Sequence, residues 1–78
     1  MEEINKAIDI IKAKAYEKGW ETNVNPKVYG LNNKKSNWYS FFFHKDNKGR
    51  GMDASEKMLS NSRGLKHILK NLEVSLDE

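Results

Sequence analysis

A chain of 78 residues with a formal charge of +3 and no cysteine has room for one hydrophobic core and none for a second domain. Disulfides and thiolate-built zinc sites are excluded, so packing alone must hold the fold, as suits a reducing cytoplasm. The opening stretch, MEEINKAIDIIKAKAYEKGW, lacks the basic start and unbroken apolar run of a signal peptide, and no apolar segment approaches the roughly 20 residues that span a bilayer.

In chain order, Ile4, Ala7, Ile8, Ile11 and Ala15 recur at the spacing of one helical face, with Asn5, Lys6, Asp9, Lys12 and Tyr16 elsewhere, so the spacing predicts an amphipathic helix. Gly19 is its stop signal, and Lys18 suits the negative end of the helix dipole. Two short outer strands are expected next, over residues 20–24 and 27–31, separated at Asn25-Pro26, where proline removes a ladder donor and favours a turn or an edge. The polar run over residues 32–37 reads as a hairpin loop leading into the strongest strand, Trp38-Tyr39-Ser40-Phe41-Phe42-Phe43-His44. Asp46-Asn47-Lys48-Gly49 has turn chemistry, with Gly49 the residue suited to positive φ, and residues 50–53 are expected to return as a short strand. Asp53-Ala54-Ser55-Glu56 resembles a capping box, and Leu65, Ile68, Leu69, Leu72 and Leu76 share a helical face. Weak helix formers at residues 61–64 divide this region into a turn over residues 55–59 and a helix restarting at Ser62. The fold expected is therefore a single α+β domain, α-β-β-β-α, with a three-stranded antiparallel sheet and two helices packed on one of its faces.

Charge is unevenly spread. Residues 1–21 and 53–78 each carry −1, whereas residues 22–52 carry +5, with Lys27, Lys34, Lys35, Lys45, Lys48 and Arg50 against Asp46 alone. Such clustering makes a positive field suited to a phosphate backbone or an acidic protein surface, although lysine-rich loops also serve simply as solvated surface. Along the aromatic strand, alternation puts Tyr39, Phe41 and Phe43 on one face and Trp38, Ser40, Phe42 and His44 on the other. If helices cover the first face, Trp38 and Phe42 form an open platform for stacked bases or a partner protein, unless a loop or a second subunit in a homodimer covers them.

Catalytic material is sparse, with two histidines and no phosphate-binding glycine loop or spaced metal-ligand cluster. His67 falls between the apolar positions of the last helix and is expected in solvent. His44, beside Lys45 and near Lys48 and Arg50, is the one candidate base.

A helix ending in Lys18-Gly19-Trp20, the stretch Phe43-His44-Lys45-Asp46, and the segment Arg63-Gly64-Leu65-Lys66-His67-Ile68-Leu69-Lys70 followed by a short apolar tail together resemble the HicA-type (YcfA-like) toxins. These are small messenger-RNA-cleaving partners of HicB antitoxins with a double-stranded-RNA-binding-domain-like fold. The likeness covers about half the chain and implies that fold and an RNA substrate. Where the family carries Gly-Ser-His, this chain reads Lys35-Ser36-Asn37-Trp38, and an asparagine cannot act as acid or base at neutral pH.

The function expected from these features is a binding domain that contacts nucleic acid, RNA in preference to DNA, through Lys34, Lys35, Lys45, Lys48 and Arg50, with Trp38 and Phe42 stacking and His44 close by. No catalysis, cofactor or metal is required. One alternative is an inhibitor encoded by a phage or mobile element, in the manner of anti-CRISPR proteins, that docks the same residues on a host nucleic-acid-processing protein. The Lys- and Asn-rich composition is of the kind such AT-rich genomes produce. The other is a HicA-like messenger-RNA interferase using His44.

Overall fold

The computed structural model describes the backbone of residues 2–31 and 34–77 and the side chains of residues 3–27 and 37–77. The chain forms α1 (Glu2–Glu17), β1 (Glu21–Leu31), β2 (Lys34–Lys45), β3 (Lys48–Ser55), a one-turn α2 (Glu56–Leu59) and α3 (Ser62–Ser75). The strands make one antiparallel sheet in the order β1-β2-β3. Phe41 and Phe43 of β2 and Ala54 of β3 meet Ile4, Ala7, Ile11 and Ala15 of α1, Leu59 of α2, and Ile68, Leu72 and Leu76 of the C-terminal segment in one buried cluster. The helices thus share a single face of the sheet, the arrangement their apolar stripes require.

The exit of α1 sets the geometry of everything after it. Gly19 adopts φ +87°, which an L-residue with a side chain resists. The Trp20 amide donates to the Ala15 carbonyl and the Gly19 amide to that of Tyr16, both at 2.9 Å, the paired bonds of a Schellman motif. This turn delivers Trp20 into the core, where it is 1% exposed. Its indole Nε1 donates to the carbonyl of Leu76 at 3.0 Å, the residue that caps the end of α3.

Three expectations about the strands need correction. Residues 21–31 form one continuous strand with Pro26 inside it, opposite Tyr39. β1 is an edge strand, and an outward-facing row of amides loses no ladder bond to proline. Of the expected hairpin loop, residues 34–37 are strand, paired with residues 28–31, while Asn32 and Asn33 lie outside the described residues. Pairing with β1 extends the ladder through side chains whose intrinsic β preference is poor. At the second hairpin Asp46, not Gly49, takes the positive φ of 55°, as a short polar side chain tolerates. Gly49 belongs to β3, which runs further at both ends than residues 50–53. Because β3 pairs only with Trp38–Lys45, the β1–β2 pair continues past it as a two-stranded arm, and the molecule measures 41 × 25 × 19 Å.

The C-terminal helices divide where weak helix formers predict. Ser55, rather than Asp53, caps α2 by accepting the Met58 amide at 3.2 Å, since Asp53 is still within β3. Asn61 caps α3 by accepting the Arg63 amide at 2.9 Å. The two helices approach so closely that a Cβ on Gly64 would lie 2.5 Å from the Met58 carbonyl oxygen. Among the described residues, no helix is long and apolar enough to cross a membrane.

Two stability outcomes follow. Trp20→Phe removes the indole donor to the Leu76 carbonyl while keeping an aromatic ring, and is expected to cost about 1–3 kcal/mol in urea unfolding. Thr22 faces the core side of β1 opposite Phe43, and its Oγ1 is buried with no hydrogen-bond partner among the described residues. Thr22→Val keeps the shape, removes the unsatisfied hydroxyl, and is expected to raise stability by about 1 kcal/mol in the same assay.

Candidate functional site

The strand register assembles the open face of the sheet. Trp38, Ser40, Phe42 and His44 share that face as alternation predicts, opposite the buried Phe41 and Phe43. β1 sets Lys27 beside Trp38, Asn25 beside Ser40, Asn23 beside Phe42 and Glu21 beside His44. On the other side β3 sets Ser55, Asp53, Gly51 and Gly49 at the same levels. Phe42 remains 49% exposed. Its ring lies across Gly49, where a Cβ would come within 3.1 Å of Cζ, and stacks with His44 at a centroid distance of 6.1 Å. Nε2 of His44 lies 3.6 Å from a Glu21 carboxylate oxygen and 3.4 Å from the Asn23 amide nitrogen. A shallow polar hollow lined by Gly19, Glu21, His44, Lys45 and Asp46 opens beside it. Among its described residues this face carries Lys27 against Glu21 and Asp53, so it is not basic.

The expected cations lie elsewhere. Arg50 is the direct partner of Phe43, and Lys48 that of Lys45, which places Lys45, Lys48 and Arg50 on the helix side of the sheet, away from Trp38 and Phe42. Nζ of Lys45 donates to the Lys18 carbonyl at 3.2 Å, and a cation there answers the negative end of α1. Lys45 Nζ and Arg50 Cζ also stand 6.0 and 5.9 Å from the Trp20 ring centroid, within cation–π range. Lys48 is exposed at the hairpin end. Lys34 and Lys35 fall in the two-stranded arm, but their side chains lie outside the described residues. The single basic and aromatic surface expected from the sequence is therefore divided between two faces.

A further basic surface runs along the helices. No acid occurs between Lys57 and Leu72, whereas Lys57, Arg63, Lys66 and Lys70 do, and all four are exposed. At 3.6 residues per turn, Arg63, Lys66, His67 and Lys70 fall within an arc of about 100° on α3, opposite Ile68 and Leu72. His67 is exposed, as expected. Among the described residues, carboxylates of the C-terminal end are engaged with α1 and the turn that follows it: Glu73 lies 3.9 Å from Lys14, and Asp77 lies 3.9 Å from Lys18. Segment-wise charge conceals this stripe, because acids at both ends of residues 53–78 cancel it. Its helical spacing was the signal that could have found it.

Asn37, at the place of the HicA-type histidine, donates from its amide to Glu56 at 2.8 Å and so ties β2 to α2. Among the described residues no group of three or more metal-ligating side chains converges. No protein-family model matches the chain, and no curated protein or solved structure shows significant similarity to it. The HicA-type resemblance accordingly rests on the residues quoted for it alone.

The burial of the cations sorts them by role. Lys45→Ala and Arg50→Ala are expected to lower stability by about 1 kcal/mol each by uncovering Trp20. Lys48→Ala should stay within about 0.5 kcal/mol of the parent. Urea-denaturation midpoints of the three variants test this division.

Proposed function

We propose that the protein is a nucleic-acid-binding module whose phosphate contacts come from the α3 stripe, Arg63, Lys66 and Lys70, with Lys57 of α2 beside it. The observation that carries the proposal is the direction of charge along α3. A helix is stabilised by acids in its first turn and bases in its last, and α1 obeys, with Glu2 and Glu3 at its start and Lys14 in its last turn. α3 does the reverse. It has no acid in its first turn and no base in its last, while Arg63 and Lys66 crowd the positive end of its dipole. Stability does not account for that arrangement. An anion lying along the stripe does, since it would meet the cations and the positive helix end together.

The stripe spans about 10 Å at 1.5 Å rise per residue, room for a few backbone phosphates and no more. Affinity should therefore be modest, dominated by counterion release and tolerant of sequence. RNA remains the first substrate to try, on the sequence resemblance described above, with DNA of the same sequence as its control. Lys45 and Arg50 serve the fold around Trp20 and are not needed for this contact.

Fluorescence anisotropy of labelled RNA and DNA between about 50 and 200 mM salt tests the proposal, with a log–log slope of about −2 to −4 expected. Replacing both Lys66 and Lys70 by Ala should lower affinity at least about tenfold and reduce the slope by about 2, without loss of helical circular dichroism. No binding of either nucleic acid at the lowest salt, or an unchanged slope in the double variant, would overturn it.

A further inference from the structure

The open sheet face presents a different chemistry from the α3 stripe. Phe42 and Trp38 are aromatic, but Glu21 and Asp53 stand among them and only Lys27 is basic in the described part. Two carboxylates repel a phosphate chain, so the face suits protein. What partner it suits is written in the order of its charges. Along β1 the outward positions run Glu21, Asn23, Asn25, Lys27, with an acid at one end and a base at the other, about 20 Å apart at 3.3 Å per residue.

We propose that this face pairs with the same face of a second copy of the chain, about a two-fold axis that lies between the sheets and runs across their strands. That operation sets the Glu21–His44 level of one copy against the Lys27–Trp38 level of the other, twice over by symmetry. Each rim then carries a Glu21–Lys27 ion pair and a Trp38–His44 ring contact. At the centre Phe42 meets the small Ser40, and Asp53 meets Gly51, so no like charges face each other. Gly49 and Gly51 leave β3 without side chains on this face, which allows two twisted sheets to approach. The alternative axis, along the strands, would bring β1 over β3 and form neither ion pair.

The described face measures about 20 by 14 Å across three strands, well under the roughly 800 Å² that each partner buries in a standard interface. Association is consequently weak and grows with concentration. It is independent of nucleic-acid binding, because α3 lies on the other side of the sheet.

Sedimentation equilibrium on the full chain from about 10 μM to about 1 mM reads it directly, with the average mass expected to rise toward that of a dimer. Glu21→Lys and Lys27→Glu should each weaken dimerisation at least about tenfold, and the double reversal E21K/K27E should restore it, because the pair is rebuilt with its signs exchanged. Both positions are exposed, and circular dichroism checks that each variant folds. Phe42→Ala should also shift the equilibrium toward monomer. Constant monomer mass across the range would overturn the proposal, as would failure of the double reversal to recover what either single reversal loses. So would a Phe42→Ala variant that loses affinity for labelled RNA while its mass distribution stays that of the parent, since the ring would then be a base-stacking platform.

Discussion

The indole of Trp20 holds the two ends of the chain together. It enters the core at the turn that closes α1 and donates to Leu76, 56 residues later, at the end of α3. A buried carbonyl at a helix terminus needs a donor, and here the donor comes from the residue that the Gly19 turn places beneath it. The same ring is covered by Lys45 and Arg50 from the β2–β3 hairpin, so both long helices and the far end of the sheet converge on one side chain. In a core whose large fully buried members are few, such convergence makes the fold cooperative: loosening any of the three elements exposes the indole to the others' solvent.

That convergence changes the meaning of the central positive charge. Counted along the chain, residues 22–52 are strongly basic. Folded, the described cations of that segment divide, Lys45 and Arg50 turning toward Trp20 and Lys27 toward the open face beside Trp38. The helices that seemed neutral instead expose a row of bases. Net charge by segment and net charge by surface are different quantities, because a helix sorts residues every three or four positions and a strand every second one.

Features encoded over short distances were legible in the sequence. The stripe from Ile4 to Ala15 with Gly19 as its stop, the division at residues 59–62, and the alternation that buries Phe41 and Phe43 but not Phe42 each depend on neighbours within a turn or a strand. What could not be read was register. Nothing local says that Lys27 stands beside Trp38 or Glu21 beside His44, since those pairings are fixed by where the β1–β2 ladder begins. Whether Pro26 interrupts the strand is non-local for a related reason, because its cost depends on whether β1 is an edge. Asp46 and Gly49 competed for one backbone conformation, and the direct pairing of Lys45 with Lys48 decided it by making residues 46 and 47 the turn.

The last strand ends the sheet, and its composition governs what happens at that boundary. β3 reads Lys-Gly-Arg-Gly-Met-Asp-Ala-Ser from Lys48 to Ser55, with charges or glycines at most positions and a single large apolar side chain, Met52. An unpaired strand edge is a template for further strands, and a flat apolar one recruits them into aggregates. Here any strand added in register would have to accommodate Lys48, Arg50 and Asp53 while finding little apolar surface in return. The sheet can therefore leave this border uncovered in a crowded solution without growing beyond three strands, and exchanging Arg50 or Asp53 for a β-branched apolar residue would remove that protection even where the fold itself survived.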